Sequence, residues 1–302
     1  MKIENGIYML EILSDRVGKT TIIYPTLILN NDSLILIDTG FPGLFNQIYE
    51  AIEKEGLQFS KLNTIIFTHQ DIDHIGNVFE ILNKVPENIK TFSHEEEKAY
   101  INGEKVPVKL AKLESKLQNL PDNMKVAYNM LKAGFQNNKV NIDETLIGGQ
   151  ELPYCGGITV IHTPGHTPGH ICLYFKNWKI LIAGDVFCVN DGILLRGNQD
   201  YNFDTELSVK SIQKLMKYDI ETVICYHGGI YNDDVNERIA ELANCWKIIT
   251  HKWLTFFAYL KRSLRYFQTN IEKNSGYVRR GYRSYRSRNI WYGVIEELKK
   301  YF

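Results

Sequence analysis

Short β-branched and aromatic runs separated by turn residues fill the first third of the chain, and residues 6–13, 21–30, 33–38 and 64–67 read as strands. Between the last two, Leu44, Phe45, Ile48, Tyr49 and Ile52 recur at helical spacing and predict an amphipathic helix. Residues 76–85 predict a second helix that ends before Pro86. A second set of strands is expected at 158–162, 170–175, 179–183 and 222–226. A helix over 205–217 interrupts it, with Leu207, Ile212, Leu215 and Met216 marking its apolar side. Two groups of strands with helices between them predict an α/β fold of two face-to-face sheets covered by helices.

Residues 94–138 separate the two halves and read as mostly helical. Leu110, Leu113, Leu117 and Leu120 step by three and four, and Val126, Met130 and Leu131 continue the pattern beyond Pro121. Two readings are open for this segment: a packed helical hairpin, or a lid over a site. A last helix is expected over 234–250, with Val235, Ile239, Leu242 and Trp246 on one face.

Composition adds an asymmetry. The 302 residues are 44% hydrophobic and 23% charged, as in a globular protein with a large core, and the formal net charge is zero. Residues 247–302, however, hold thirteen Lys/Arg against three Asp/Glu, leaving 22 against 32 in residues 1–246. The expected organisation is therefore an acidic domain over 1–246, with 94–138 inserted in it, and a basic, aromatic extension over 247–302. In the extension, Arg279, Arg280, Arg283, Arg286 and Arg288 interleave with aromatic residues. Such a stretch can bind nucleic acid through phosphate contacts and stacking, or cover an acidic protein surface. No cationic stretch followed by an apolar run opens the chain, and no apolar segment approaches the roughly 20 residues that span a bilayer. Five scattered cysteines argue against a disulfide framework and for a reducing compartment, so the cytoplasm is the expected location.

The chemistry is concentrated in Thr68-His69-Gln70-Asp71-Ile72-Asp73-His74, which places four metal-ligating side chains within six residues. Further donors are His166, in a Thr-Pro-Gly turn flanked by His162 and His170, Asp185 after Ala183-Gly184, and His227 after Tyr226. His69, Asp185 and His227 each follow a strand-like run, so a rigid scaffold can converge them on one edge. Upstream, Asp38 precedes Thr39-Gly40 and is a candidate either to orient a ligand histidine or to cap a turn. His162 and His170 are expected to make hydrogen bonds rather than bind metal, and His94 to start a helix.

These motifs, in this order, resemble those of the metallo-β-lactamase-fold hydrolases over about residues 5–235, close to glyoxalase-II-like and lactonase-like members. The resemblance implies a four-layer αβ/βα sandwich with a binuclear metal centre. Carried over by position, it assigns His69, Asp71 and His166 to one metal and Asp73, His74 and His227 to the other. Asp185 would bridge them, Asp73 would also move the proton, and Asp38 would support a ligand histidine. The family's usual first motif is His-x-His-x-Asp-His, and here Asp71 stands in place of the second histidine.

What the resemblance implies is a cytoplasmic hydrolase with two divalent ions, zinc first, manganese or iron as alternatives, since carboxylate ligands favour harder ions. Such ions lower the pKa of bound water towards ~7 and provide hydroxide for attack on a small-molecule thioester, lactone or other ester or amide. A β-lactamase is disfavoured because no export signal is evident. Two other activities remain open. Flavodiiron oxidoreductases also carry a carboxylate at this position, although their flavodoxin-like domain has no counterpart here. A phosphodiesterase or nuclease could use the basic tail.

Overall fold

A computed structural model of the chain describes residues 1–16, 19–31, 33–85 and 89–244. The basic extension, including His251 and the arginine cluster, lies outside the described residues, as do Pro86 and the end of the helix expected over 234–250. That last helix is seen over residues 235–244.

Period-two patterning explains the architecture. In the strand Ser33–Ile37, Leu34 and Leu36 join one buried cluster while Ile35 and Ile37 join another. In Ile171–Phe175, Ile171, Leu173 and Phe175 face one way, and Cys172 and Tyr174 the other. Both faces are apolar because both are covered. One sheet has seven strands in the order Lys2–Glu4, Ile7–Met9, Thr26–Asn30, Ser33–Ile37, Leu62–Ile66, Lys90–His94 and Glu144–Leu146. The other has six, in the order Glu151–Leu152, Ile158–His162, Ile171–Phe175, Ile180–Ile182, Thr222–Cys225 and Gly229–Tyr231.

Their facing sides share one core, in which Ile35, Ile37, Ile66 and Phe92 meet Val160, Leu173, Phe175 and Ile182. The helices Phe45–Lys54, Val78–Lys84 and Asp122–Asn137 cover the outer face of the first sheet. Thr205–Leu215 and the helix over 235–244 cover that of the second. The result is an αβ/βα sandwich. No helix among the described residues is long and apolar enough to cross a membrane.

Several local expectations shift. The runs expected over 6–13 and 21–30 each break in two, because the chain leaves the sheet to form a separate ribbon, Ile12–Arg16 paired with Lys19–Ile23. Pro25, at the corner, has no N–H for a ladder; its carbonyl accepts from Leu10 N–H at 2.9 Å. The inserted segment packs through Leu110, Tyr128 and Phe135, whereas Val126 and Met130 are exposed, so its last helix is rotated from the register that those two residues suggested. Met216 is likewise exposed, beyond the end of Thr205–Leu215.

The parallel part of the first sheet sets up the site. Ser33–Ile37 and Leu62–Ile66 run side by side, and their ends deliver Asp38 and Thr68-His69 to the same edge. The second sheet pairs Ile180–Ile182 with Thr222–Cys225 in parallel, delivering Asp185 and His227 to the facing edge.

Candidate metal centre

Asp38 adopts φ 63°, a left-handed conformation that Asp tolerates better than most residues. Its carboxylate then accepts Thr68 N–H at 2.8 Å and the Thr68 hydroxyl at 2.7 Å, and stands 2.8 Å from His74 Nδ1. The Thr68 oxygen is 3.0 Å from His69 Nδ1 and accepts from it. This network puts the protons of both imidazoles on Nδ1 and leaves both Nε2 lone pairs facing the edge between the sheets.

Asp71 occupies the N-cap position of the short helix Ile72–Ile75, where an aspartate usually accepts a backbone N–H. It makes no such bond. Its Oδ2 lies 3.1 Å from His69 Nε2 and 2.9 Å from His166 Nε2. One turn of that helix presents Asp73 and His74 to the other side. His227 Nε2 is 3.2 Å from Asp73 Oδ2, and His74 Nε2 is 3.8 Å from the same oxygen.

Asp185 lies between the two groups. Its Oδ2 is 3.3 Å from His166 Nε2 and 3.9 Å from His69 Nε2. Its Oδ1 is 3.2 Å from His74 Nε2 and 3.5 Å from His227 Nε2. Its backbone is fixed by Gly184, at φ 51°, where a Cβ would fall 2.6 Å from His170 Nε2. That nitrogen accepts Asp185 N–H at 3.0 Å, and His170 Nδ1 bonds Thr163 Oγ1 at 2.9 Å. His170 therefore supports the loop and offers no free nitrogen to an ion. His162 contacts the Pro168 carbonyl at 3.0 Å and stacks on His94, the N-cap of Glu95–Ile101. Burial pushes the His94 imidazole down to about 4.

Two sets of donors thus converge, His69, Asp71, His166 and Asp185 in one and Asp73, His74 and His227 in the other, each with ligand atoms mutually within 4.8 Å. Asp71 Oδ1, Asp185 Oδ1 and His74 Nε2 are buried without a hydrogen-bond partner. Buried polar atoms left without a partner signal a missing one, and imidazole nitrogens beside carboxylate oxygens suit a divalent cation. The electrostatics agree. Burial opposes ionisation of Asp73, yet His74 and His227 hold its carboxyl down at about 2. Asp185 is likewise held well below the usual range, against its burial, chiefly by His227 and His74. Burial works against a charged His74, but Asp38, Asp185 and Asp73 raise its pKa well above the ordinary value. The cluster attracts positive charge, and a bound cation would take the place of those protons.

Three participants carried no clear signal in the sequence. Glu97, fully buried, accepts Gln70 N–H at 2.8 Å, the Gln70 side-chain amide at 2.9 Å and Gly169 N–H at 2.6 Å. It therefore ties the loop of the first motif to the loop of His166. Gln70 accepts in turn from Val108 N–H at 2.8 Å, anchoring the helical insertion. Lys109, the next residue, pairs its ammonium with Asp71 Oδ2. Glu97 was obscured within Glu95-Glu96-Glu97, which reads as the acidic first turn of a helix.

With this geometry the comparisons with known proteins are specific. The family model of the metallo-beta-lactamase superfamily matches residues 19–227, and the chain belongs to that superfamily, as a hydrolytic enzyme within it. Among its relatives is the probable metallo-hydrolase YflN of Bacillus subtilis, 29% identical over 231 residues, which cover 70% of this chain and 82% of that protein. A hydroxyacylglutathione hydrolase of Buchnera aphidicola is 30% identical over 196 residues, 65% of this chain and 57% of that enzyme. A solved metallo-beta-lactamase family protein from Thermus thermophilus shares the fold with a TM-score of 0.64 at 20% identity, covering 84% of each chain.

Proposed function

We propose that the protein is a binuclear metal-dependent hydrolase of small-molecule thioesters, lactones or related esters and amides. The observation that carries this reading is the division of Asp185, one oxygen towards His69 and His166 and the other towards His74 and His227. His69, Asp71 and His166 would hold one ion, Asp73, His74 and His227 the other, and Asp185 would bridge them. When bound, two such ions supply an acidified water and a Lewis acid for the substrate's carbonyl oxygen. Zinc suits the four imidazoles, and Asp71 widens the choice towards manganese or iron.

Asp73 is the proposed proton-handling residue. One of its oxygens faces His227 at 3.2 Å, and its pKa of about 2 keeps it an acceptor at neutral pH. Asp38 orients His74, and Thr68 orients His69. The insertion, locked to Gln70 through Val108 and touching Asp71 through Lys109, is proposed as the lid-like element. The similarity to hydroxyacylglutathione hydrolases favours a thioester among the candidate substrates.

The test combines metal content by elemental mass spectrometry, on protein purified without chelator or added metal, with hydrolysis of S-acyl glutathione and acyl lactones. About two zinc or manganese ions per chain and metal-dependent turnover are expected, both lost in Asp185→Ala. Two iron ions without hydrolysis would overturn the reading in favour of redox chemistry.

A further inference from the structure

The first ligand set is in contact with a lysine, and among the described residues the second is not. Lys109 projects from the helix Val108–Glu114, and its ammonium contacts Asp71 Oδ2, the oxygen that also faces His69 at 3.1 Å and His166 at 2.9 Å. The other oxygen, Oδ1, is buried without a hydrogen-bond partner. The lysine is therefore seated on the atom that a cation in this half would need. Asp73 and Asp185, by contrast, pair with histidines alone among the described residues. The backbone next to Lys109 is fixed by the Val108–Gln70 hydrogen bond, and Lys112 bonds the Asp200 carbonyl at 2.7 Å, so the helix that carries Lys109 is anchored at two points. In that same position Nζ also lies 5.0 Å from the centroid of the Tyr201 ring, on whose face a displaced ammonium would still find an attraction.

We propose that Lys109 is the built-in counter-ion of Asp71, holding the first ligand set together without metal and competing with the ion for Asp71 Oδ2. This rests on the binuclear reading of the centre. The two halves then load unequally. Asp73, His74 and His227 take an ion with no lysine in contact with their carboxylate among the described residues. The Asp71 half fills more weakly, because its ion must displace the ammonium towards Tyr201 and then sit beside it. The lysine also accounts for the departure in the first motif. Replacing an imidazole by a carboxylate lowers the charge of the centre by one, and Lys109 returns it. Lys109 is a positioning residue in this scheme: it acts on the metal through Asp71.

The test uses the full chain stripped with chelator and titrated with Zn²⁺, and separately with Mn²⁺, against a chromophoric competitor. The wild type should show two unequal binding steps. Lys109→Gln should tighten the weaker step at least tenfold and leave the tighter within threefold, while Lys109→Arg, which keeps the cation, should resemble the wild type. A second readout does not involve metal. The metal-free Lys109→Gln protein should melt below the metal-free wild type, since Asp71 is left buried without its cation, whereas the Zn²⁺-saturated proteins should not differ in that direction.

Two ions bound by the wild type, with the weaker step unchanged or loosened in Lys109→Gln, would overturn the inference and leave the binuclear reading intact. One ion in the wild type and two in Lys109→Gln would support the competition while correcting the native stoichiometry. One ion or none in both proteins would overturn both.

Discussion

The Asp38 carboxylate stands 2.8 Å from Nδ1 of His74, across 36 residues of sequence, and the same oxygen accepts the Thr68 hydroxyl. A strand end in the first sheet thereby fixes the orientation of a side chain on a separate one-turn helix. The helix Ile72–Ile75 is too short to be stable alone, so what holds His74 is this bond together with the Thr39 N–H and hydroxyl on its carbonyl, at 2.6 and 2.9 Å. Asp38→Ala should lower metal affinity in the His74 half by roughly 10- to 100-fold, as loss of an outer carboxylate does elsewhere. Stepwise metal titration checks this. An unchanged pair of dissociation constants would show that His74 is positioned by its backbone alone.

Gly184 is the equivalent control point for Asp185. Its φ is 51°, and a Cβ on it would stand only 2.6 Å from His170 Nε2, which leaves no room for a side chain. Gly184→Ala should cost about 1–2 kcal/mol in backbone strain and displace His170 from the Asp185 amide. Thermal unfolding should show the loss of stability, and metal analysis should show both ions weakened together. Loss of only one would argue against a shared role for Asp185.

How far the site could be read in advance follows from where its residues lie along the chain. His69, Asp71, Asp73 and His74 are dense in one loop, which points to a metal site directly, whereas His166, Asp185 and His227 were marked by the resemblance of their motifs to a known family, supported for Asp185 and His227 by the strand-like runs before them. The sheets were legible for a related reason: strands such as 171–175 are apolar on both faces. The partners that hold the loops were not legible. Glu97 is 27 residues from Gln70 and 72 from Gly169, and Glu95 and Glu96 beside it are chemically identical but exposed. Which of three glutamates turns inward is decided by how the insertion packs. Lys109 was hidden similarly, as one of two lysines on a short helix within a leucine repeat. The ribbon Ile12–Arg16 with Lys19–Ile23 was missed because continuous β-rich runs conceal the corner at Pro25.

Leu173 separates stability from metal binding. It is fully buried in the core that the two sheets share, with Ile37 and Phe92 in the same cluster, and is paired in register with Val160 and Ile182. Leu173→Ala should destabilise the protein by about 2–5 kcal/mol through lost transfer energy and the residual cavity. At a temperature where the variant remains folded, its metal content should match the wild type. Denaturant unfolding and metal analysis on the same sample decide it; a loss of metal with the fold intact would show that the inter-sheet core sets the ligand geometry more sensitively than its loops suggest.

Glu97 makes stability depend on pH in a direction opposite to that of an ordinary paired carboxylate. Burial pushes it up to about 7, against the amide donors of Gln70 and Gly169 that favour the anion, while Asp71 adds to the rise. An unfolded glutamate titrates at about 4.3. Between those values the folded protein holds a proton that the unfolded chain has released, so stability falls as pH rises through this window and the full cost is present above about 7. The size of the effect is on the order of 3 kcal/mol. The amide introduced by Glu97→Gln is neutral at every pH, so the metal-free wild type should lose stability relative to that variant as pH goes from 5 to 8. Chemical denaturation of both proteins across that range measures the difference directly. Parallel curves would mean that the three amide donors keep Glu97 ionised even at pH 5, and the clamp between the two ligand loops would then be a permanent anion.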